Sequence, residues 1–258
     1  MKTAVLIQAR SRSRRLPGKC FLPFPVIPVM QSTIIAATGN PLQSMVERVY
    51  LQVSRSGIPA YFVIPENDDD LSRHLSEKGI PFFTGPEEDV RERYRMAAAS
   101  LGLDLIIRAT ADNPFTDPEH IVLTLDRMKE VRSDLFSYSG LPLGAAVEVF
   151  TRNALFQDIP GEKGMHREHV SLHIKHDPER FSVVHEESPV MMAWRRRTQY
   201  DGPLPRLTVD EQADYDTVYA VACRLRADSL TGLLDLFLAE PGLFEGNRDV
   251  EQLRFDRH

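Results

Sequence analysis

Through residue 131, short apolar runs alternate with longer segments of helical spacing. Thr3–Ala9, Ala60–Ile64, Pro81–Thr84 and Leu105–Ala109 are the short runs. An apolar stretch of this length without polar alternation marks a strand buried on both faces, as in a parallel sheet. Met45–Arg55, Asp69–Lys78, Asp89–Leu101 and Pro118–Val131 follow these strands and read as helices. Asp68–Asp70 put acids at the start of the second helix, where the dipole favours negative charge. Pro118 suits the first turn of the fourth. The order β-α-β-α-β-α-β-α predicts an α/β fold with a mostly parallel Rossmann-like sheet and helices on both faces.

After residue 135 the pattern changes. Ala146–Thr151, Phe181–Glu186 and Pro205–Val209 read as strands, and Arg167–His176, Glu211–Arg226 and Ser229–Glu240 as helices. Residues 20–44 hold Pro23, Pro25, Pro28, Gly39 and Pro41, which predicts a long irregular loop. Neither an internal repeat nor a Gly/Ser linker divides the chain. The expectation is one domain over residues 1–258, with an inserted segment at about 135–203.

The composition, 42% hydrophobic and 26% charged over 258 residues, is that of a globular chain long enough to build its own core. No apolar run approaches the roughly 20 residues of a membrane helix, so no membrane span is expected. The order of charge and apolar residues at the N-terminus is wrong for a secretory signal. Cys20 and Cys223, two cysteines far apart, imply no disulfide framework and suggest a cytoplasmic protein.

Charge is distributed unevenly. Lys2, Arg10, Arg12, Arg14, Arg15 and Lys19 all precede the first acidic residue, Glu47. Against a formal net charge of −6, this +6 segment leaves −12 on the remainder. An acidic body makes a general nucleic-acid partner unexpected. The basic segment follows the first strand, and ligands of open α/β sheets bind beyond the carboxyl ends of strands. Residues 8–19 read QARSRSRRLPGK. Free backbone N–H groups, Arg forks and a Lys in such a loop suit a polyphosphate; a solvated basic loop is the alternative. Neither a Walker A loop nor the dinucleotide fingerprint is present.

Asp112 and Asp210 each follow a predicted strand, so one cation could sit between them. Each could instead begin a helix: Asp112 as a cap or Asx-turn before Pro114, and Asp210 as the cap of Glu211–Arg226. Asp117, before Pro118, reads as a cap, and Asp214 as a helix-surface residue or a support for the site. His166, His169, His173 and His176 raise a zinc reading, but H-E-x-x-H is absent. Arg195–Arg197, beside Trp194 and Tyr200, read as a solvated loop or a subunit contact.

The string after the first strand, Q-A-R-x-x-S-x-R-L-P-G-K, resembles the cytidylyltransferase family, which activates acidic sugars such as sialic acid and Kdo. Within that family it resembles the branch of spore-coat polysaccharide biosynthesis proteins. The similarity recurs at residues 85–98 (GPEEDVRERYRMAA), 107–118 (IRATADNPFTDP), 142–150 (PLGAAVEVF), 167–170 (REHV) and 207–214 (LTVDEQAD). It implies a fold of the nucleotide-diphospho-sugar transferase (GT-A-like) type with a small inserted β/α segment. It implies a Mg²⁺-dependent nucleotidyltransferase that joins CMP from CTP to a sugar or sugar acid for surface polysaccharide synthesis, releasing pyrophosphate.

By the same resemblance, Gln8, Ala9, Arg10, Ser13, Arg15, Lys19 and Asp112 bind the nucleotide, with Arg10, Lys19 and Asp112 catalytic. Asp112 and Asp210 hold Mg²⁺. Glu148, Arg167, Glu168 and His169 meet the acceptor, where an internal salt-bridged network is the alternative. Asp89, Arg91 and Arg93 fall near the base site. The segment after residue 135 resembles the family's dimer-forming region, so a homodimer is expected.

Three departures flank the nucleotide loop. Arg12 and Arg14 stand where relatives often carry Gly and Thr. Pro25-Val26-Ile27-Pro28 replaces a common G-G-K-P, and Gln31–Ser44 reads as an insertion. Arg12 could reach phosphate or fill the base site. These changes support an alternative, a weakly active nucleotide-binding or regulatory homologue. A glycosyltransferase using a nucleotide sugar is the other alternative, for which Asp68-Asp69-Asp70 formally supplies a D-x-D.

Overall fold

The computed structural model describes residues 1–27, 42–158, 161 and 164–252. Residues 28–41 of the expected loop, and with them most of the Gln31–Ser44 insertion, lie outside the described residues.

Nine strands and ten helices are described. The strands are β1 (Thr3–Gln8), β2 (Pro23–Pro25), β3 (Leu42–Ser44), β4 (Ala60–Pro65), β5 (Phe82–Gly85), β6 (Leu105–Thr110), β7 (Leu135–Ser139), β8 (Glu148–Thr151) and β9 (Val183–Glu187). The helices are α1 (Met45–Ser54), α2 (Asp69–Glu77), α3 (Val90–Leu101), α4 (Pro118–Val131), α5 (Arg152–Phe156), α6 (Gly164–Glu168), α7 (Leu172–Lys175), α8 (Pro189–Thr198), α9 (Gln212–Arg224) and α10 (Leu230–Ala239).

A seven-stranded sheet runs in the order β5-β4-β1-β6-β8-β7-β9. The first four are mutually parallel, β8 is antiparallel to both neighbours, and β9 is parallel to β7. The non-alternating apolar runs have a direct cause. In β1, Val5 and Ile7 pack with Val49, Leu71 and Ile121 of α1, α2 and α4. Ala4 and Leu6 pack on the other face with Tyr94, Ala97 and Ala98 of α3. A strand covered on both faces must be apolar at every position. The helix starts are chemically marked: Ser44 and Glu47 form a reciprocal capping box, and Asp68, Asp89 and Asp117 cap α2, α3 and α4.

The inserted segment extends the same sheet and departs from expectation in detail. β7 was not expected, because Ser137 and Ser139 dilute its apolar signal, although Leu135–Tyr138 are buried. Two further helices, α5 and α8, were not expected either. Arg195–Arg197 lie in the last turn of α8, where cations suit the dipole, and Arg197 pairs with Asp235. The helix expected over Arg167–His176 is two short helices, α6 and α7. Between them, Ser171 turns its hydroxyl onto Glu148.

Residues 205–209 form no strand. They run extended over Gly144, with Leu207 N–H donating to Leu143 O (2.8 Å) and Val209 N–H to Asp112 O (2.8 Å). Gly144 has φ +97°, and a Cβ there would lie 2.7 Å from the Thr208 nitrogen. Only glycine lets this crossing occur, and the crossing delivers Asp210 to the carboxyl ends of β1 and β6.

Candidate active site

Gln8 and Thr110 are in register at the ends of β1 and β6, so the loops that follow them emerge side by side. The first loop folds on itself: Gly18 N–H donates to Ser11 O (3.0 Å), and Gly18 at φ +72° turns the chain into a short 3₁₀ turn, Lys19–Phe21. Asp68 fixes the loop from outside. Besides capping α2, its carboxylate accepts the Ser11 N–H (2.7 Å) and hydroxyl (2.6 Å). Cys20 donates its thiol to Arg10 O at 3.0 Å, and burial pushes that thiol up to about 12, so it stays protonated.

These loops border a cleft of about 320 Å³. Gln8, Ala9, Arg10, Ser13, Arg15 and Lys19 line one side, Thr110 and Asp112 the next, and Asp210 closes that end. The predicted nucleotide and metal residues are thus brought together. Arg12 and Arg14 are not on the cleft wall; Arg12 is exposed and reaches Asn67 O at 3.5 Å.

Lys19 organises the acidic end. Its Nζ donates to Asp112 Oδ2 (2.9 Å), Val209 O (2.7 Å) and Asp210 Oδ1 (3.5 Å). Burial alone would lower its pKa, but Asp112 and Asp210 outweigh this and raise it. Burial likewise opposes ionisation of Asp112, and Lys19 overcomes it, holding Asp112 below the usual carboxylate range. Arg15 Nη2 lies 2.8 Å from Asp210 Oδ1, and Arg206 Nη2 lies 2.8 Å from Oδ2. Neither carboxylate caps a helix. Asp117 caps α4, and Glu211 with Asp214 caps α9. Asp214 is fully buried rather than on the helix surface; it binds Arg206 and the Asp210 and Glu211 N–H groups.

Asp112 and Asp210 both reach the Lys19 ammonium, and a carboxylate pair of this kind fits Mg²⁺, which takes one or two carboxylates and fills its octahedron with water and phosphate oxygens. Among the described residues, no group of three or more His, Cys, Asp or Glu is placed to hold a metal. The histidines show no zinc cage there: His173 is buried against Ala154 O (3.0 Å), and burial lowers its pKa to about 4.

Of the residues expected to meet the acceptor, Glu168 and His169 line the cleft, whereas Glu148 and Arg167 do not. Glu148 belongs to an internal network: it accepts Lys175 and the Ser171 hydroxyl (2.6 Å), with Arg108 Nη1 at 3.8 Å. Burial opposes its charge, but Lys175 and Arg108 hold its pKa down to about 2. The Arg167 side chain is 58% exposed, its Nε 4.0 Å from Asp89.

Two further residues line the cleft, Arg108, which the sequence pattern does not mark as a site residue, and Arg93, which the resemblance puts only near the base. Both carried a signal. Arg108 interrupts the apolar run of β6, and Arg93 sits on the face of α3 that carries Val90 and Ala97. Gly85 makes room for Arg93, since a Cβ there would lie 2.8 Å from Arg93 Cγ.

The cytidylyltransferase family model matches residues 4–257. The spore coat polysaccharide biosynthesis protein SpsF of Bacillus subtilis is 30% identical over 222 residues, covering 84% of each chain. Among solved structures, a cytidylyltransferase from Leptospira borgpetersenii aligns over the whole of both chains with TM-score 0.75 and 23% identity. A CMP:2-keto-3-deoxy-manno-octonic acid synthetase complexed with CTP aligns over 87% of this chain and 99% of its own, with TM-score 0.59 and 14% identity. These two share the fold. With a family model spanning nearly the whole sequence, and a relative at 30% identity over most of it, the chain belongs to the cytidylyltransferase family.

Proposed function

We propose that the protein is a Mg²⁺-dependent cytidylyltransferase that transfers CMP from CTP to a sugar or sugar acid, releasing pyrophosphate, in surface glycan synthesis. The observation that carries this reading is that the basic loop lines one cleft and its Lys19 meets Asp112 and Asp210 there. Family membership supports it, as does the CTP bound by the structural neighbour.

In the reaction, an acceptor oxygen attacks the α-phosphorus in line, the new P–O bond forms, and the bond to the departing pyrophosphate breaks. The acceptor hydroxyl proton leaves to solvent or a nearby base. Arg10, Arg15, Lys19 and the loop N–H groups would grip the triphosphate and take up charge on the leaving group. Asp112 and Asp210 would hold Mg²⁺, which when bound supplies neutralisation of phosphate charge. Most of the catalysis would be positioning.

The alternatives lose their best support. Asp68 is a cap and loop anchor, while Asp69 and Asp70 are exposed on α2 and absent from the cleft wall, so no observation favours a D-x-D glycosyltransferase site. Arg12 leaves the cleft open, which weakens the regulatory-homologue reading. Among the described residues, no helix is long and apolar enough to cross a membrane. The reading includes a cytoplasmic location and a homodimer, and no nucleic-acid partner.

Pyrophosphate release tests the proposal. The protein is incubated with Mg²⁺, each of the four triphosphates and a panel of sugars and sugar acids. Release is expected with CTP and an acceptor together; release with no combination would reject the reading. Asp112→Asn should abolish release while leaving the fold intact, and near-normal turnover would remove Asp112 as a metal ligand.

A further inference from the structure

Two guanidinium groups in the cleft come from outside the 8–19 loop, Arg93 from α3 and Arg108 from β6. Arg93 is 2% exposed, yet its Nε and Nη1 have no hydrogen-bond partner among the described residues. Arg108 Nε is likewise buried without a partner. Burying an unpaired cation is costly, and folded proteins normally pair such groups.

The carboxylate beside Arg108 does not resolve this. Glu148 stands 3.8 Å from Arg108 Nη1 but is already bound by Lys175. Arg93 makes no ion pair among those described. Five basic side chains line the cleft against three carboxylates, and Lys19 and Arg15 already hold two of the three. Burial, with Arg10 nearby, disfavours the Arg93 charge, and Glu87 and Asp89 offset this only in part.

Their placement separates them from the metal end. Arg108 is in register with Glu148 on the neighbouring strand. Arg93 projects from α3, which packs against α6. Glu168 and His169, at and just after the end of α6, line the same cleft. The pair thus lies between the phosphate loop and the acceptor-side segment.

We propose that Arg93 and Arg108, rather than Arg167, form the subsite for the anionic group of the acceptor, a carboxylate or a phosphate monoester on the sugar. The inference rests on the cytidylyltransferase reading for its reaction, but not for its binding site. Three N–H donors, Arg93 Nε and Nη1 and Arg108 Nε, lack a hydrogen-bond partner among the described residues, and an entering anion would supply one. The subsite therefore selects charged sugars over their neutral counterparts.

The test compares wild type, Arg93→Met and Arg108→Gln. Calorimetric titration uses sugar acids and sugar phosphates, each beside its neutral amide or unphosphorylated form, with CTP and Mg²⁺ titrated separately. Charged hydrogen bonds of this kind are worth about a 10- to 100-fold change in affinity. Wild type should bind at least one charged member that much more tightly than its neutral partner. Each variant should lose that preference while its affinity for CTP changes less than about threefold. Arg93→Met should melt no lower than wild type, because it removes a buried unpaired charge; a purely structural arginine would give the opposite.

Two results would overturn the assignment. One is no preference for any charged member in wild type. The other is loss of CTP affinity in the variants with the sugar preference intact, which would assign the pair to the nucleotide. Binding is read without turnover. Charged-sugar preference without pyrophosphate release would leave the subsite standing and reject the reaction.

Discussion

Asp214→Ala would isolate the support beneath Asp210. The Asp214 carboxylate is fully buried and accepts hydrogen bonds from Arg206 Nε (2.8 Å), Arg206 Nη2 (3.4 Å), the Asp210 N–H (2.9 Å), the Glu211 N–H (3.1 Å) and Asn247 Nδ2 (2.9 Å). Truncation leaves the Arg206 guanidinium, itself 10% exposed, with Asp210 as its remaining ion-pair partner. Removing one member of a buried pair costs about 3–5 kcal/mol. In a chain of this size each kcal/mol lowers the melting temperature by about 2–4 °C, so a fall of roughly 6–20 °C is expected in a thermal melt followed by circular dichroism. The double variant Arg206→Met/Asp214→Ala removes the stranded charge and should recover a large part of that loss. It should not recover activity, because Asp210 is no longer oriented, and the Mg²⁺ concentration for half-maximal velocity should rise. A melting temperature within about 2 °C of wild type for Asp214→Ala would refute the reasoning.

Gly144→Ala should destabilise by about 2 kcal/mol or more in urea titration, since φ is +97° and the new Cβ would lie 2.7 Å from the Thr208 nitrogen; an unchanged midpoint would show that the 205–209 segment does not need this crossing. Asp68→Ala removes the cap of α2 and both bonds to Ser11, so the KM for CTP should rise about tenfold while the acceptor KM stays put, as a loop anchor requires; an unchanged CTP KM would contradict that role. Burial holds His173 at about 4, below the 6.5 of the unfolded chain. Between these values the unfolded chain binds more protons, so stability falls as pH drops, by about 2 kcal/mol between pH 7 and pH 5; His173→Asn should shrink that difference, and an equal difference would reject the assignment.

The parallel half of the sheet was legible because burial on both faces leaves a one-dimensional trace. Ala4–Ile7, Phe62–Ile64 and Leu105–Ile107 are apolar at every position for that reason. Asp117 was legible as a cap because Asp before Pro at a helix start has one common use. That the basic loop and the two carboxylates meet was legible from strand order and the rule that ligands sit beyond strand ends; the nucleotide and metal roles expected of them came from the family resemblance.

Other features depend on contacts that local pattern does not carry. β7 is buried yet polar at Ser137, whose hydroxyl bonds His185 at 2.8 Å. α8 hides behind three arginines because its buried face shows in Met191 and Trp194 alone. Glu148 and Arg93 illustrate the limit at the site. Both are charges in recognisable motifs, Arg93 buried and Glu148 partly so, and only the fold shows that Lys175 neutralises one while the other lines the cleft.

The central claim is transfer of the α-phosphate. CTP labelled at the α-phosphorus, incubated with Mg²⁺ and an acceptor that supports pyrophosphate release, should pass its label to a sugar-linked nucleotide, while label at the γ-phosphorus should appear wholly in pyrophosphate. Label from the α-position recovered only in CTP, CDP or free CMP, with none joined to sugar, would contradict the account.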